Sequence, residues 1–241
     1  MKLDSLIFAA HPDDAEIGMG GTIAKMVSGG LKVGIIDLTK AELSTRGNVV
    51  TRQRETDEAS KILGLAVREN LELPDGRLEI NDDYLKLIIG KIRNYKPEIV
   101  FAPYKNDRHP DHIIVSQMIK KAYFLAGLAN YNTTDADEKY EAYRPKKIFY
   151  FMQSYKFEPK FIVDISDFFD TKMKSVFAYK TQFYDPNSTE PNTYISDPKF
   201  VNYLDARSRF YGFQIGKQYG EPFYTEEEVE LDLVNLVKSL G

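Results

Sequence analysis

The chain has 241 residues, 43% of them hydrophobic and 28% charged, so it can bury a sizeable core and is neither disordered nor fibrous. A formal net charge of −4 argues against a nucleic acid or a membrane surface as partner. Cysteine is absent, which excludes disulfides and thiolate metal ligands.

Residues 5–10, SLIFAA, read as a buried strand. That apolar run is too short for a signal peptide, and no stretch approaches the roughly 20 apolar residues of a membrane helix, so a cytoplasmic protein is expected. A helix is predicted over 17–30, with Gly29 and Gly30 as its stop, then a strand over 32–38. The loop TKAELSTRGNV leads into a helix over 51–64 closed by Gly64. A short strand near 70–73 ends at the turn Pro74-Asp75-Gly76. Residues 84–95 repeat their apolar positions at helical spacing, Pro97 precedes a strand over 98–103, and a helix spans 112–127. Residues 130–144 are polar and acidic and read as a surface excursion before a strand over 146–152. Residues 185–200 form a loop rich in Pro, Asn, Ser and Thr, and an amphipathic helix closes the chain, with Lys238 near its end. The βαβα order predicts one α/β domain over 1–241: a Rossmann-like three-layer sandwich with a mainly parallel sheet.

In such sheets ligands bind at the carboxyl ends of strands. The chain's three histidines, His11, His109 and His112, all lie in two such places, "AAHPDDAEIG" and "HPDH". Imidazoles and carboxylates are zinc ligands, and catalytic zinc takes three protein ligands with a position left for water. His11, Asp14 and His112 would supply that set. Asp13 is adjacent, His109 is available to stabilise an oxyanion, and Asp111 could orient His109 and keep it protonated. The plain alternative is helix capping by Asp13, Asp14 or Asp111. Gly18, Gly20 and Gly21 with Asp37 suggest a nucleotide-binding module, but their spacing is not G-x-G-x-x-G, and close helix–sheet packing is the simpler use. Arg46, Arg52 and Arg54 follow the second strand. Arg52 and Glu55 read either as a solvated ion pair or, with Arg108, as an anion clamp on the rim.

"AHPDDAE" with a downstream "HPDH" resembles the LmbE-like, or PIG-L, family of zinc-dependent N-deacetylases, which remove acetyl groups from N-acetylglucosamine (GlcNAc) units. "EIGMGGTIAK", "DLTKAELSTRG", "TRQRE", "LELPDGRL", "FAPYKNDRHPDH" and "FIVDIS" are similar to the bacillithiol-biosynthesis branch, whose substrate is N-acetylglucosaminyl-malate (GlcNAc-malate). The resemblance implies Zn2+ on His11, Asp14 and His112, Asp13 as the base, and an oxyanion role for His109 held by Asp111. It implies substrate contacts from Arg52, Arg108 and Tyr194. It also implies a homo-oligomer, a hexamer in that branch, with a small N-acetylated sugar as ligand. A deacetylase of another GlcNAc conjugate is the neighbouring expectation.

Overall fold

The computed structural model describes residues 1–135 and 138–234. The strands are β1 (Ser5–Ala9), β2 (Val33–Thr39), β3 (Val67–Leu73), β4 (Ile99–Pro103), β5 (Thr134–Asp135), β6 (Glu138–Lys139), β7 (Lys147–Phe151), β8 (Phe161–Asp164) and β9 (Gly220–Tyr224). The helices are α1 (Asp14–Ser28), α2 (Val49–Leu63), α3 (Asp82–Tyr95), α4 (Pro110–Ala126), α5 (Phe169–Phe177) and α6 (Pro198–Gln214). The expected closing helix lies mostly outside the described residues. None of the helices described is long and apolar enough to cross a membrane.

Seven strands form one sheet in the order β3-β2-β1-β4-β7-β9-β8. The first five run parallel, while β9 is antiparallel to both β7 and β8. β1 and β2 are buried along their whole length, as unbroken apolar runs in a covered parallel sheet require. β3 is the polar edge, VRENLEL, and is mostly half-buried. Successive side chains of β1 feed two cores. Leu6, Phe8 and Ala10 pack with α3 and α4, whereas Ile7 and Ala9 pack with α1 and with Leu63 of α2. This is the expected three-layer sandwich, with helices on both sides of a mainly parallel sheet.

The strand order reverses between β1 and β4, which is where such folds open a crevice beyond their carboxyl ends. His11 follows β1 and His109 follows β4, so the topology brings the two histidine clusters together. The predicted excursion contains a short antiparallel pairing of β5 with β6. The predicted loop 185–200 ends early: Asp197 accepts the Lys199 N–H and Pro198 opens α6, so the loop's last residues belong to a helix.

α1 is interrupted at Met19, whose φ of −147° is not helical. Glu221 of β9 takes the groups this leaves, accepting the N–H of Gly21 at 3.1 Å and that of Thr22 at 2.7 Å. Lys172, fully buried, donates to Glu221 and to the Ile17 carbonyl, and Arg207 donates to the same carbonyl at 2.8 Å. A β-carbon at Gly18 would overlap the ring of Phe151, and one at Gly21 would overlap Ile165. These glycines are filled by packing, which leaves no room beside them for the pyrophosphate of a dinucleotide. Breaking the Lys172–Glu221 pair strands a buried charge. Glu221→Ala should therefore lower unfolding free energy in urea by about 3–5 kcal/mol. A loss below about 1 kcal/mol would mean that water or another carboxylate replaces Glu221.

Candidate active site

The strand-to-helix turn after β1 places His11, Asp13 and Asp14 at the floor of a cleft of about 320 Å³. The turn is tightly specified. His11 N–H donates to Asp14 Oδ2 at 2.9 Å, and Asp13 sits at φ 120°, a conformation costly for any residue with a side chain. Such strain persists only where the surroundings impose it, and here Arg52 does so. Its Nη1 donates to the Pro12 carbonyl at 2.6 Å and to Asp13 Oδ2 at 3.0 Å, and its Nη2 donates to Ser44 Oγ at 3.0 Å.

Arg52 is thus not the solvated ion pair of the plainer expectation. It forms no ion pair with Glu55, which instead accepts the N–H and hydroxyl of Thr181. It lines the cleft, its Nη1 bonded to the turn and its Nη2 to Ser44, while its buried Nε has no hydrogen-bond partner among the described residues. Arg46 is withdrawn, buried against Glu190 at 3.6 Å. Arg108 and Tyr194 do stand exposed at the mouth, the guanidinium 4.4 Å above the ring centre. Neither aspartate of the first turn caps α1 with its side chain.

Asp14 lies between two imidazoles. Its Oδ2 is 3.4 Å from His11 Nδ1 and its Oδ1 is 3.1 Å from His112 Nε2. Burial opposes ionisation of Asp14, but the charge of His112 and the hydrogen bond of His11 hold it well below the usual carboxylate range. Burial likewise opposes the charge on His112; Asp14 and the Asp107 hydrogen bond override it and raise the imidazole to about 9. His11 is raised in the same way by Asp111, Asp14 and Asp75 against the cost of burial. Asp13 is pushed up to about 7 by burial, opposed by Arg52 and reinforced by Asp14.

Separations of 3.1–3.4 Å are close to the roughly 3.3 Å between neighbouring ligand atoms on a tetrahedral ion with bonds of about 2.0–2.1 Å. The two contacts use different oxygens of Asp14, and imidazole nitrogen and carboxylate oxygen are the donor types a zinc-type ion takes. Two trios bring one ligand atom from each residue within 4.8 Å of one another: His11, His109 and His112, and, as a second trio, His11, Asp75 and Asp111. In that second trio both carboxylates already serve backbone groups: Asp75 Oδ2 accepts the Leu43 N–H and Asp111 Oδ2 the Gly76 N–H. A pH signature follows for chelator-treated protein. The unfolded His112 titrates near 6.5 and the folded one near 9, so its contribution is complete below 6.5 and lost as pH rises through 9. Wild type should lose more melting temperature between pH 6.5 and 9.5 than His112→Gln; parallel losses would show that the imidazole is uncharged.

One expectation needs correcting. The Asp111 carboxylate does not hold His109. It reaches Gly76 N–H at 2.8 Å and His11 Nε2 at 3.3 Å. The relation is reversed by helix capping: His109 is the N-cap of α4, and its Nδ1 accepts the Asp111 N–H at 3.3 Å. Burial, then the charges of His11 and His112, keep His109 below its ordinary value. With Nδ1 accepting the Asp111 N–H, Nε2 is the ring nitrogen left to donate.

Sequence motifs did not single out Asp75, Asp107 or Gln153. Asp107 lies 2.9 Å from His112 Nδ1 and accepts the N–H of His109 and of Ser154; Gln153 donates to the Asp14 carbonyl at 3.2 Å. Asp75 stands inside the "PDG" turn, where an ordinary turn role conceals it.

The sheet order and this crevice define an LmbE-like deacetylase fold. Residues 6–123 match the PIG-L family model, described as GlcNAc-PI de-N-acetylase. It is 29% identical over 226 residues to the diacetylchitobiose deacetylase of Thermococcus kodakarensis, covering 90% of this chain and 80% of that one. A conserved protein of Thermus thermophilus superposes with a TM-score of 0.86 at 37% identity, covering 96% of this chain and 98% of that one. The inhibitor complex of N,N'-diacetylchitobiose deacetylase from Pyrococcus horikoshii gives 0.80 at 28% identity, covering 91% and 82%.

Proposed function

We propose that the protein is a zinc-dependent deacetylase of a GlcNAc conjugate, releasing acetate and a free amine. The observation that carries this reading is Asp14 set between His11 and His112 on the floor of an open cleft, with Asp13 and His109 beside it. His11, Asp14 and His112 would hold the ion, which when bound acidifies water and polarises a carbonyl. Asp13, raised to about 7, is poised to accept a proton from the attacking water near neutral pH. Arg52 aims that carboxylate and keeps it from turning toward the ligand set. His109, uncharged, donates its Nε2–H to the oxygen that gains charge as the amide is attacked. Asp111 serves indirectly, tying the "PDG" turn to α4 through Gly76.

The particular substrate we propose is GlcNAc-malate, on the strength of the motifs that resemble the bacillithiol branch. Malate's carboxylates need a guanidinium fork at the mouth, and Arg108 is placed to give one, whereas Arg52 is engaged elsewhere. The neighbouring reading, a diacetylchitobiose-type substrate, is favoured by the two relatives with that activity. Tyr194 and Phe200, packed edge to face at the cleft, offer a second sugar an aromatic wall. The deciding experiment is acetate release from zinc-loaded protein on GlcNAc-malate, diacetylchitobiose and GlcNAc. Arg108→Ala should cost roughly 10–100-fold in kcat/KM on GlcNAc-malate, the scale of a hydrogen bond to a charged group, and little on GlcNAc. Equal losses on both would remove the physical case for malate. A cytoplasmic homo-oligomer completes the proposal, testable by fractionation and by sedimentation.

A further inference from the structure

Each imidazole beside Asp14 turns its second nitrogen to another carboxylate from a different loop. His112 Nδ1 lies 2.9 Å from Asp107 Oδ1. His11 Nε2 lies 3.0 Å from Asp75 Oδ1 and 3.3 Å from Asp111 Oδ2. An imidazole can ligate a metal only through a nitrogen that carries no proton, so whatever fixes the proton on one nitrogen selects the other as ligand. Asp75 and Asp111 differ in what they can do for His11. The Asp111 oxygen that faces His11 is also the acceptor for the Gly76 N–H at 2.8 Å. Asp75 divides its work: Oδ2 accepts the Leu43 N–H at 3.0 Å, and Oδ1 faces His11. The turn that carries it is itself fixed, since the Asp75 N–H donates to Glu42 at 2.8 Å and Gly76 adopts φ 67°.

We propose that Asp75 is a positioning residue that holds the His11 proton on Nε2 and so leaves Nδ1, the nitrogen facing Asp14, for the metal. It is the counterpart on β3's loop of what Asp107 does for His112 from β4's loop. The inference rests on the metal reading above and adds to it the residue that sets the ligand's tautomer.

Asp75→Asn is the informative change, because it preserves shape and inverts one donor. If the Asn oxygen keeps the Leu43 N–H, its amide group points at His11 Nε2 and forces the ring proton onto Nδ1. Zinc affinity, measured by competition with a chromogenic chelator, should fall about 10–100-fold. Glu42→Ala, which disturbs the same turn through its backbone without touching the carboxylate, should keep wild-type affinity. In zinc-loaded wild type, 15N-resolved histidine spectra should show His11 protonated at Nε2, and this holds as a test even if Asp75→Asn fails to fold. The inference is overturned by zinc affinity within about threefold of wild type in Asp75→Asn, by an equal loss in Glu42→Ala, or by an unprotonated Nε2. Wild type that takes up no zinc would instead sink the metal reading itself.

Discussion

Asp13→Asn is expected to keep its zinc and lose about 10²–10⁴-fold in kcat on an N-acetylated sugar, the usual share of a general base. Asparagine preserves the side chain's shape and can still accept from Arg52 Nη1, so the turn and its neighbours should hold. What it cannot do is take a proton. Metal content by elemental analysis and turnover by acetate release, measured on the same preparation, decide the matter. Loss of zinc would mean that Asp13 and Asp14 have been assigned each other's roles. Full activity with zinc retained would mean that the base is elsewhere, with His109 the nearest alternative.

His112→Ala should abolish both metal uptake and activity. Two remaining protein ligands seldom hold catalytic zinc, and Asp14 would lose one of the two imidazoles that lie against it. The cavity left is polar, so added imidazole offers a sharper check than activity alone. Partial recovery of zinc binding with imidazole is the result expected of a lost ligand. Zinc bound at wild-type affinity in His112→Ala would exclude this residue from the ligand set and favour the trio of His11, Asp75 and Asp111.

What the sequence makes legible follows from how far apart the interacting residues lie. β1, β2, β4 and β7 are buried parallel strands, so their apolar runs are continuous and announce themselves. β9, GEPFY, hides a strand behind a glycine and a proline, and β8 is half-buried at the far edge; neither carries a pattern strong enough to read alone. α6 starts at Asp197-Pro198, a helix-opening signal that a loop-like composition conceals. The histidine clusters are readable because each is a local motif placed by a strand end. The His11–Asp75 contact joins residues 64 positions apart, and nothing local marks Asp75 for that work. Arg52 shows the converse. Its place on the rim is legible, but its direction depends on a carbonyl, a carboxylate and a hydroxyl brought in by two other loops.

The clamp on α1 bears on when the site comes into being during synthesis. A ribosome delivers His11, Asp13 and Asp14 long before the residues that brace the helix behind them. Glu221, which secures the break in that helix, follows Gly21 by 200 positions. Lys172 and Arg207, which hold the Ile17 carbonyl, also come from the last third of the chain. Contacts so distant cannot form until nearly everything between them has emerged. Metal capture is therefore expected only once Glu221 has emerged. Ribosome-bound chains arrested before residue 220 should take up no zinc at concentrations that fill the finished protein.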